Sequence, residues 1–378
     1  MENERIAWID WLRVAACFMV MVVHSTEPFY LGGEGSLIAS RADAFRAAFF
    51  DSIVRCCVPL FVIASSFLQL PLHYSAGEFL RKRAIRILVP FTIWSIFYAL
   101  YWGEPVSNLK DLIFNFNYAA GHLWFVYMLI GVYLIMPVLS PWAERVQKKE
   151  LGIYICIWLF TTLIPLFRDY LSTEPLAFAY GPTGIPRQAL YPLWGEASWN
   201  SYGIFYYVSG FIGYLLIGLW LRKFGSEIDL KKSLCFGIPS FLAGFAIVFI
   251  GFLRRVFICA DGNFPVEGPI GMGVWWETTW GYDTIGVALM TIGLVLLFKN
   301  IHTQGVFYKR IVLPVSKASY GMYLAHMAVL SVYAGLFRSL IPSTPLVILS
   351  TAVCSFITVA IAAVLLQRIP KIGKIIMG

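Results

Sequence analysis

Ten long runs of mostly apolar residues recur along the sequence, and each is long enough to cross a lipid bilayer as one α-helix. A crossing takes about 20 such residues, because a helix rises about 1.5 Å per residue. The runs lie near residues 6–30, 45–70, 84–101, 123–142, 151–167, 202–221, 234–253, 282–298, 318–340 and 346–366. They predict an all-α fold, a polytopic membrane helical bundle of about ten transmembrane helices.

The composition supports the same class of protein. Of the 378 residues, 59% are hydrophobic and only 13% are charged, whereas a soluble domain is usually about 25% charged. So little charge cannot cover a water-facing surface of this size, which excludes an ordinary soluble enzyme. The sequence shows no internal repeat and no shift in composition, so we predict a single membrane domain over residues 1–378.

Basic residues concentrate in alternate connecting segments, and this bias predicts the orientation in the membrane. One set of segments contains 19 of the 29 Lys and Arg residues and the opposite set contains 8, while Arg13 and Arg55 lie within the apolar runs. With an even number of spans, both termini are expected in the cytoplasm. The net charge of +8 then reflects membrane topology, so no nucleic acid is expected as a partner.

The first apolar run contains three charged side chains and a histidine: Asp10, Arg13, Glu27 and His24. Such groups are costly inside a bilayer, and each is therefore a candidate site residue. The spacing of Arg13 and His24 places them about 20° apart around the helix and about 16 Å apart along it. Asp10 is expected to pair with Arg13, and Glu27 with His24, at the i,i+3 spacing. An Asp10–Arg13 pair that only ties helices together is the alternative.

A histidine held by a carboxylate suits general-base catalysis, because the neutral imidazole can remove a proton from a hydroxyl. A buried histidine that only packs against a neighbouring hydroxyl is the alternative. The helix face shared with Arg13 and the partner at Glu27 favour catalysis for His24. For His122 and His326, taken in isolation, packing is the simpler interpretation.

Arg83 and Arg86 stand at the start of the third run and project to one side of a helix, since they are three residues apart. Guanidinium groups so placed suit a phosphate, which they bind through parallel hydrogen bonds. Basic residues that only flank a span on its cytoplasmic side are the alternative. The seven cysteines and five histidines show no metal-ligand spacing, so no metal is predicted.

Two longer connections on the opposite side, residues 168–201 and 254–281, are rich in aromatic residues. These are Tyr170, Tyr180, Tyr191, Trp194, Trp199, Trp275, Trp276 and Trp280. Two interpretations stay open. The rings form a belt at the membrane–water interface, or they form a platform for a flat apolar ligand face such as that of a sugar ring.

Four motifs follow one another between residues 8 and 326. They are Trp8-Ile9-Asp10-Trp11-Leu12-Arg13 with His24, Arg83-x-x-Arg86, His122-Leu123-Trp124-Phe125, and Ser319-Tyr320-Gly321-Met322-Tyr323-Leu324-Ala325-His326. This ordered set resembles the membrane acyltransferase-3 family, with its Arg-x10-His and Arg-x-x-Arg signatures. The family usually has Ser-Gly-Phe where this chain has Ser65-Ser66-Phe67. The missing glycine argues against a close backbone approach there.

The resemblance implies an integral membrane O-acyltransferase. Such an enzyme moves an acyl group, usually acetyl, from cytoplasmic acyl-CoA to a hydroxyl of a cell-surface glycan or its lipid-linked precursor. The pattern is most similar to bacterial inner-membrane O-acetyltransferases that modify surface polysaccharides, including enterobacterial common antigen. Acetyl-CoA is then the donor co-substrate, and the glycan and the lipid bilayer are the partners. Acetyl or succinyl as the acyl group, and a homo-oligomeric state, stay open.

The resemblance also implies roles for individual residues. Arg13, Arg83 and Arg86 would bind the phosphates of CoA, His24 would be the general base, and Glu27 would orient it. A further set would bind substrate or support the site: Asp10, Ser65, Ser66, His122, Trp124, Tyr320, Tyr323 and His326. Two points stay open. His122, Tyr323 or His326 could donate a hydrogen bond to the oxyanion, and the transfer could pass through an acyl-histidine.

A secondary transporter is the main alternative, with the intramembrane Arg, His and Glu groups forming a substrate or proton path. Transporters often contain repeats and paired broken helices. The sequence shows no repeat, although Pro59, Pro90, Pro137 and Pro165 could break helices. A membrane scaffold or sensor without chemistry is a third interpretation.

Overall fold

The described part of the chain is almost entirely helical. The structure is a computed structural model that describes residues 5–32, 35–114, 118–171, 194–195 and 200–378. Its α-helices are α1 (Ala7–Thr26), α2 (Arg41–Ser52), α3 (Cys57–Gln69), α4 (Ala76–Tyr101), α5 (Pro105–Phe114), α6 (Trp124–Arg145), α7 (Lys148–Thr161), α8 (Ile164–Leu171), α9 (Ile212–Phe224), α10 (Leu230–Ala260), α11 (Ile270–Trp276), α12 (Ile285–Phe298), α13 (Leu313–Leu340), α14 (Thr344–Gln367) and α15 (Ile372–Met377). Short 3₁₀ or π turns adjoin several of these helices.

Within those ranges, eight helical segments are long and apolar enough to cross a membrane. They are Ala7–Phe29, Arg41–Gln69, Ala76–Tyr101, Ala120–Arg145, Lys148–Arg168, Leu230–Ala260, Tyr308–Leu340 and Thr344–Gln367. A ninth is formed if Ile270–Trp280 and Ile285–Phe298, bent by 47° at a short break, count as one span. These segments coincide with nine of the ten predicted runs. The all-α polytopic bundle is confirmed, whereas the cytoplasmic location of the termini stays a prediction.

The predicted run at residues 202–221 has a different structure. It contains a 3₁₀ turn, Gly203–Val208, and then α9, whose 13 residues extend only about 20 Å. Gly210 lies between them with a φ of +68° and interrupts the helix. Most of α9 is buried inside the protein. Its apolar residues therefore face neighbouring helices, which the apolar content of a segment cannot distinguish from contact with lipid.

Helix α9 nevertheless connects the two ends of the bundle. Near the end of α7, Trp158 donates its Nε1–H to the carbonyl oxygen of Gly210 at 2.7 Å, just before α9 begins. At the other end of α9, Lys223 donates to the carbonyl oxygen of Val146 at 2.8 Å, in the connection between α6 and α7. Helix α9 therefore runs antiparallel to α7, and the helix directions continue to alternate.

A small antiparallel sheet, absent from the sequence-based prediction, joins the connection after α1 to the one before α11. Its strands are β1 (Leu31–Gly32), β2 (Gly35–Ile38) and β3 (Val266–Pro269), in the order β1-β2-β3. The Ser36 Oγ accepts a hydrogen bond from the backbone N–H of Gly273 at 2.8 Å and so fixes β2 to α11. Strands of two to four residues are too short to show an alternating pattern in the sequence.

Paired glycines allow α10 and α12 to pack closely. Gly237 and Gly244 of α10 face Gly293 and Gly286 of α12. A Cβ atom on Gly237 would lie 3.0 Å from the carbonyl oxygen of Gly293, and one on Gly244 would lie 2.4 Å from that of Gly286. Small residues allow such backbone contacts between helices in a membrane. The contact holds the start of α12 in place, and the segment before it contributes side chains to the cavity described below.

Gly244→Ala is expected to lower the free energy of unfolding by about 1–3 kcal/mol, because the new methyl group overpacks the interface. Its Cβ would also lie 2.7 Å from the backbone nitrogen of Met290. Thermal or denaturant unfolding in detergent measures the effect. Gly131→Ala in α6 is the matched control, since nothing lies within 4 Å of its Cβ position. Equal destabilisation by both variants would contradict the packing argument.

Three of the tryptophans in the predicted aromatic connections are buried in protein. Trp275 is 7% exposed, and Trp276 and Trp280 are 0% exposed. Trp280 donates its Nε1–H to the Ser52 Oγ at 2.9 Å, and its ring stacks on Phe252 with centroids 4.0 Å apart. These three rings form neither an interfacial belt nor an open platform, because they fill the core between helices. Trp194 is exposed, while Tyr180, Tyr191, Trp199 and the side chain of Tyr170 lie outside the described residues.

Candidate active site

A cavity of about 530 Å³ runs along α1 between α3, α4, α6 and α13. Among the residues that line it are ten of the thirteen predicted site residues: Arg13, His24, Glu27, Ser65, Arg83, Arg86, His122, Trp124, Tyr320 and Tyr323. The other three, Asp10, Ser66 and His326, are buried beside it. Arg13 and His24, which the helical spacing places on one face of α1, therefore both line this cavity.

His24 and Glu27 form a close pair where α1 ends. The His24 Nδ1 lies 2.9 Å from both carboxylate oxygens of Glu27, the i,i+3 contact expected from the sequence. The chain continues from α1 directly into a 3₁₀ turn, Glu27–Phe29, which keeps the two side chains on one side. When the Nδ1–H donates to Glu27, the Nε2 is left unprotonated and able to accept a proton.

Asp10 does not pair with Arg13, and the sequence-based expectation for it is wrong. Its carboxylate instead accepts two hydrogen bonds from Arg5 at 2.8 and 2.9 Å, one from the Tyr308 hydroxyl at 2.7 Å and one from the Ser316 Oγ at 2.5 Å. A helical side chain leans toward the N-terminus of its helix, so Asp10 points toward Arg5. This cluster fixes the start of α1 to the start of α13.

Arg13 is one of several basic side chains that line the same part of the cavity. We define the cationic end of the cavity by Arg13, Arg83, Arg86 and Lys317, which all line it. The Arg83 Nη2 donates to the Gln69 Oε1 at 2.6 Å. Among the described residues, Arg13 and Arg86 form no ion pair. Sequence reasoning missed Lys317, because it resembles the other basic residues that flank spans.

The opposite end brings three histidines together. The ring of His326 lies 5.1 Å from that of His24 and 5.1 Å from that of His122, measured between centroids. Tyr323 donates its hydroxyl hydrogen to the carbonyl oxygen of His122 at 2.5 Å. The Nε2 atoms of His122 and His326 are buried and have no hydrogen-bond partner among the described residues. Of these two histidines, His122 lines the cavity, whereas His326 is buried beside it.

Sequence reasoning also missed an ion-pair cluster beside this end. Arg55, in the turn just before α3, donates to the Asp51 Oδ1 at 2.9 Å, to the Glu277 Oε2 at 3.2 Å and to the carbonyl oxygen of Trp280 at 3.3 Å. Arg55, Glu277 and Tyr282 line the cavity. An arginine inside an apolar run was the available signal, whereas its partner Glu277 lies 222 residues away. We define the histidine end by His24, Glu27, Arg55, His122, Trp124, Glu277 and Tyr282.

The sequence was compared with models of known protein families, with curated proteins and with solved structures. A family model described as an acyltransferase domain matches residues 6–366. The chain belongs to acyltransferase family 3. The match covers nearly the whole chain and every predicted site residue, so the resemblance seen in the four motifs is confirmed. No curated protein and no solved structure matches this chain.

Ser65 and Ser66 replace the Ser-Gly pair usual in acyltransferase family 3, and they face opposite ways. Ser65 lines the cavity, whereas Ser66 donates its hydroxyl hydrogen to the carbonyl oxygen of Leu215 in α9 at 2.5 Å. A Cβ on Gly218 of α9 would lie 2.6 Å from the Ser66 Cβ. The close approach expected to be lost is therefore retained, because the glycine stands on the opposite helix.

Tyr320 connects α13 to α4. Its hydroxyl donates to the carbonyl oxygen of Ile87 in α4 at 2.9 Å, and its ring lines the cavity. It thereby holds α13 against the helix that carries Arg83 and Arg86.

Within the described residues, no group of three His, Cys, Asp or Glu side chains could hold a metal ion.

Proposed function

We propose that this acyltransferase is a membrane O-acetyltransferase that moves acetyl from acetyl-CoA to a hydroxyl of a glycan or lipid-linked glycan. The observation that supports it most is the continuity of one cavity from the cationic end to the His24–Glu27 pair. Guanidinium and ammonium groups suit phosphates, and a histidine held by a carboxylate suits proton removal from a hydroxyl. The cationic end of the cavity thus suits the phosphates of acetyl-CoA, and the histidine end suits the reaction at its thioester.

The length of the cavity fits the same donor. Arg13 and His24 are about 16 Å apart along α1, a distance that calls for a ligand with an extended middle. Apolar side chains line the cavity between the ends, among them Val20, Phe61 and Leu129. The phosphates of CoA would bind at the cationic end, and its pantetheine arm would extend past these side chains. The thioester then lies near His24.

The proposed chemistry is a balanced acyl transfer at the histidine end. The His24 Nε2 accepts the proton of the acceptor hydroxyl while that oxygen attacks the thioester carbon. The carbon–sulfur bond breaks, and the proton passes from His24 to the leaving thiolate. Glu27 holds the tautomer in which Nε2 is the base. Transfer through an acetyl-His24 intermediate is the second route.

The proposal includes a location and an orientation. The protein lies in a bacterial inner membrane, with the cationic end toward the cytoplasm, where acetyl-CoA is present, and the histidine end toward the acceptor. The basic bias of the connecting segments supports this orientation. Acetyl is favoured over succinyl, because a succinyl group would bring a carboxylate next to Glu27 and Glu277.

Purified protein in lipid nanodiscs is expected to release CoA from labelled acetyl-CoA and to acetylate a glycan acceptor at a rate on the order of 1 s⁻¹ or faster. Succinyl-CoA should react more slowly. Labelled acetyl that stays on the protein when no acceptor is present would identify the acyl-histidine route. Uptake of a solute by proteoliposomes without any CoA release would instead support a secondary transporter and overturn the proposed reaction.

A further inference from the structure

The histidine end has more negative than positive side chains. Glu27 and Glu277 line the cavity there, with side chains 30% and 26% exposed. Among the described lining residues, Arg55 is the only Lys or Arg at this end. The cationic end has the opposite balance. An anionic group bound at the histidine end would therefore meet two carboxylates and a single guanidinium.

That guanidinium is already committed to protein partners. Asp51 is fully buried and accepts from the Arg55 Nη1, while Nη2 and Nε donate to Glu277 and to the carbonyl oxygen of Trp280. The Arg55 guanidinium also lies over the ring of Trp280, 5.0 Å from its centroid. Because two carboxylates already share the charge of Arg55, this guanidinium is not free to bind an anionic ligand.

Two half-buried aromatic rings lie beside these carboxylates. Trp124 and Tyr282 stack with centroids 5.5 Å apart and an angle of 24° between their planes, and both line the cavity. Ligand sites of this kind combine apolar ring surfaces with a few fixed polar groups. A ring with an apolar C–H face and several hydroxyl donors fits the combination, since carboxylates accept hydrogen bonds from hydroxyl groups.

We propose that the acceptor unit bound next to His24 is an uncharged sugar ring, and that Glu277 excludes acidic sugars. The sugar packs on Trp124 and Tyr282, and its hydroxyl groups donate to Glu277. A uronic acid or a phosphorylated sugar would place its negative charge against Glu27 and Glu277 at low effective dielectric. This inference rests on the proposed function, because it names the acceptor of the same reaction.

The test compares two sugars that both lack the C6 hydroxyl and differ in charge, methyl 6-deoxyglucoside and methyl glucuronoside. Their affinity is measured as KM where the sugar is acetylated and as an inhibition constant where it is not. The wild-type protein is expected to bind the glucuronoside about tenfold or more weakly, from like-charge repulsion. Equal affinities, or binding of neither sugar, would overturn the inference. Absence of CoA release from acetyl-CoA would overturn the proposed function instead.

Glu277→Gln is expected to narrow the gap in affinity between the two sugars at least threefold, with retained CoA binding as the check of folding. Glu267→Gln is the matched control, because Glu267 is exposed and does not line the cavity. The gap should stay unchanged in the control. A gap that persists in Glu277→Gln, or narrows equally in both variants, contradicts the role of Glu277.

Tyr282→Leu provides a second variant that leaves the charges in place. It keeps an apolar side chain and removes the ring, so the affinity for both sugars is expected to fall by a similar factor of about ten while the gap stays. Unchanged affinity for the 6-deoxyglucoside would contradict packing of the sugar on this ring.

Discussion

His24→Ala is expected to lower kcat for acetyl transfer by about 10²–10⁴-fold, the usual contribution of a positioned general base. The KM for acetyl-CoA should change little, because the phosphates bind about 16 Å away along α1. A loss confined to kcat is the pattern of an interaction that matters in the transition state and not in donor binding. Within the part of the chain that the structure describes, His24 alone of the three clustered histidines pairs with a carboxylate, through its Nδ1 and Glu27.

Initial rates of CoA release and acetyl transfer measure this loss. His73 and His302 are exposed and do not line the cavity, so His73→Ala and His302→Ala are controls for removing a histidine as such. Glu27→Gln should fall between wild type and His24→Ala, because the amide still accepts from Nδ1–H but no longer stabilises the imidazolium. Wild-type kcat in His24→Ala would refute the assignment of the base.

Helical periodicity explains why this pair was predictable from the sequence. Arg13, His24 and Glu27 lie on one uninterrupted stretch, so their relative positions follow from the rotation and rise of a single helix. The structure places all three along one cavity. The same reasoning identified nine of the ten apolar runs as long helical segments. Periodicity fails at residues 202–221, where Gly210 interrupts the helix and burial in protein replaces contact with lipid.

Contacts between distant segments were not predictable in this way. Glu277 reaches Arg55 across 222 residues, and Asp10 prefers Arg5 together with two hydroxyl groups of the segment around α13 to the nearby Arg13. Neither choice follows from spacing, because it depends on which helices are neighbours. The tryptophans were ambiguous for the same reason, because an aromatic ring in a connecting segment can lie at the membrane interface, bind a ligand or pack in the core. The stacking of Trp280 on Phe252 in the structure shows that Trp280 packs in the core.

Arg83→Gln and Arg86→Gln are each expected to raise KM for acetyl-CoA by about 10–10²-fold, since a hydrogen bond to a charged group contributes about 1.5–3 kcal/mol. The kcat should stay close to wild type, because neither side chain belongs to the histidine end. Isothermal titration with CoA measures the affinity directly. Arg81→Gln is the matched control, as Arg81 is exposed, stands on the same helix and does not line the cavity.

The Arg81→Gln control distinguishes a specific phosphate site from a general electrostatic attraction of CoA. Arg81→Gln removes the same charge from α4, so a weak electrostatic attraction of CoA to basic residues that flank a span would be reduced equally by all three variants and would weaken with salt. A specific site predicts that Arg83→Gln and Arg86→Gln lower the affinity for CoA, whereas Arg81→Gln does not. Repeating the titrations with 3′-dephospho-CoA completes a double-mutant cycle. If an arginine binds the 3′-phosphate, substituting it should not change the affinity for this analogue. If the losses of affinity from each substitution and from removal of the 3′-phosphate are fully additive for both arginines, the 3′-phosphate binds elsewhere.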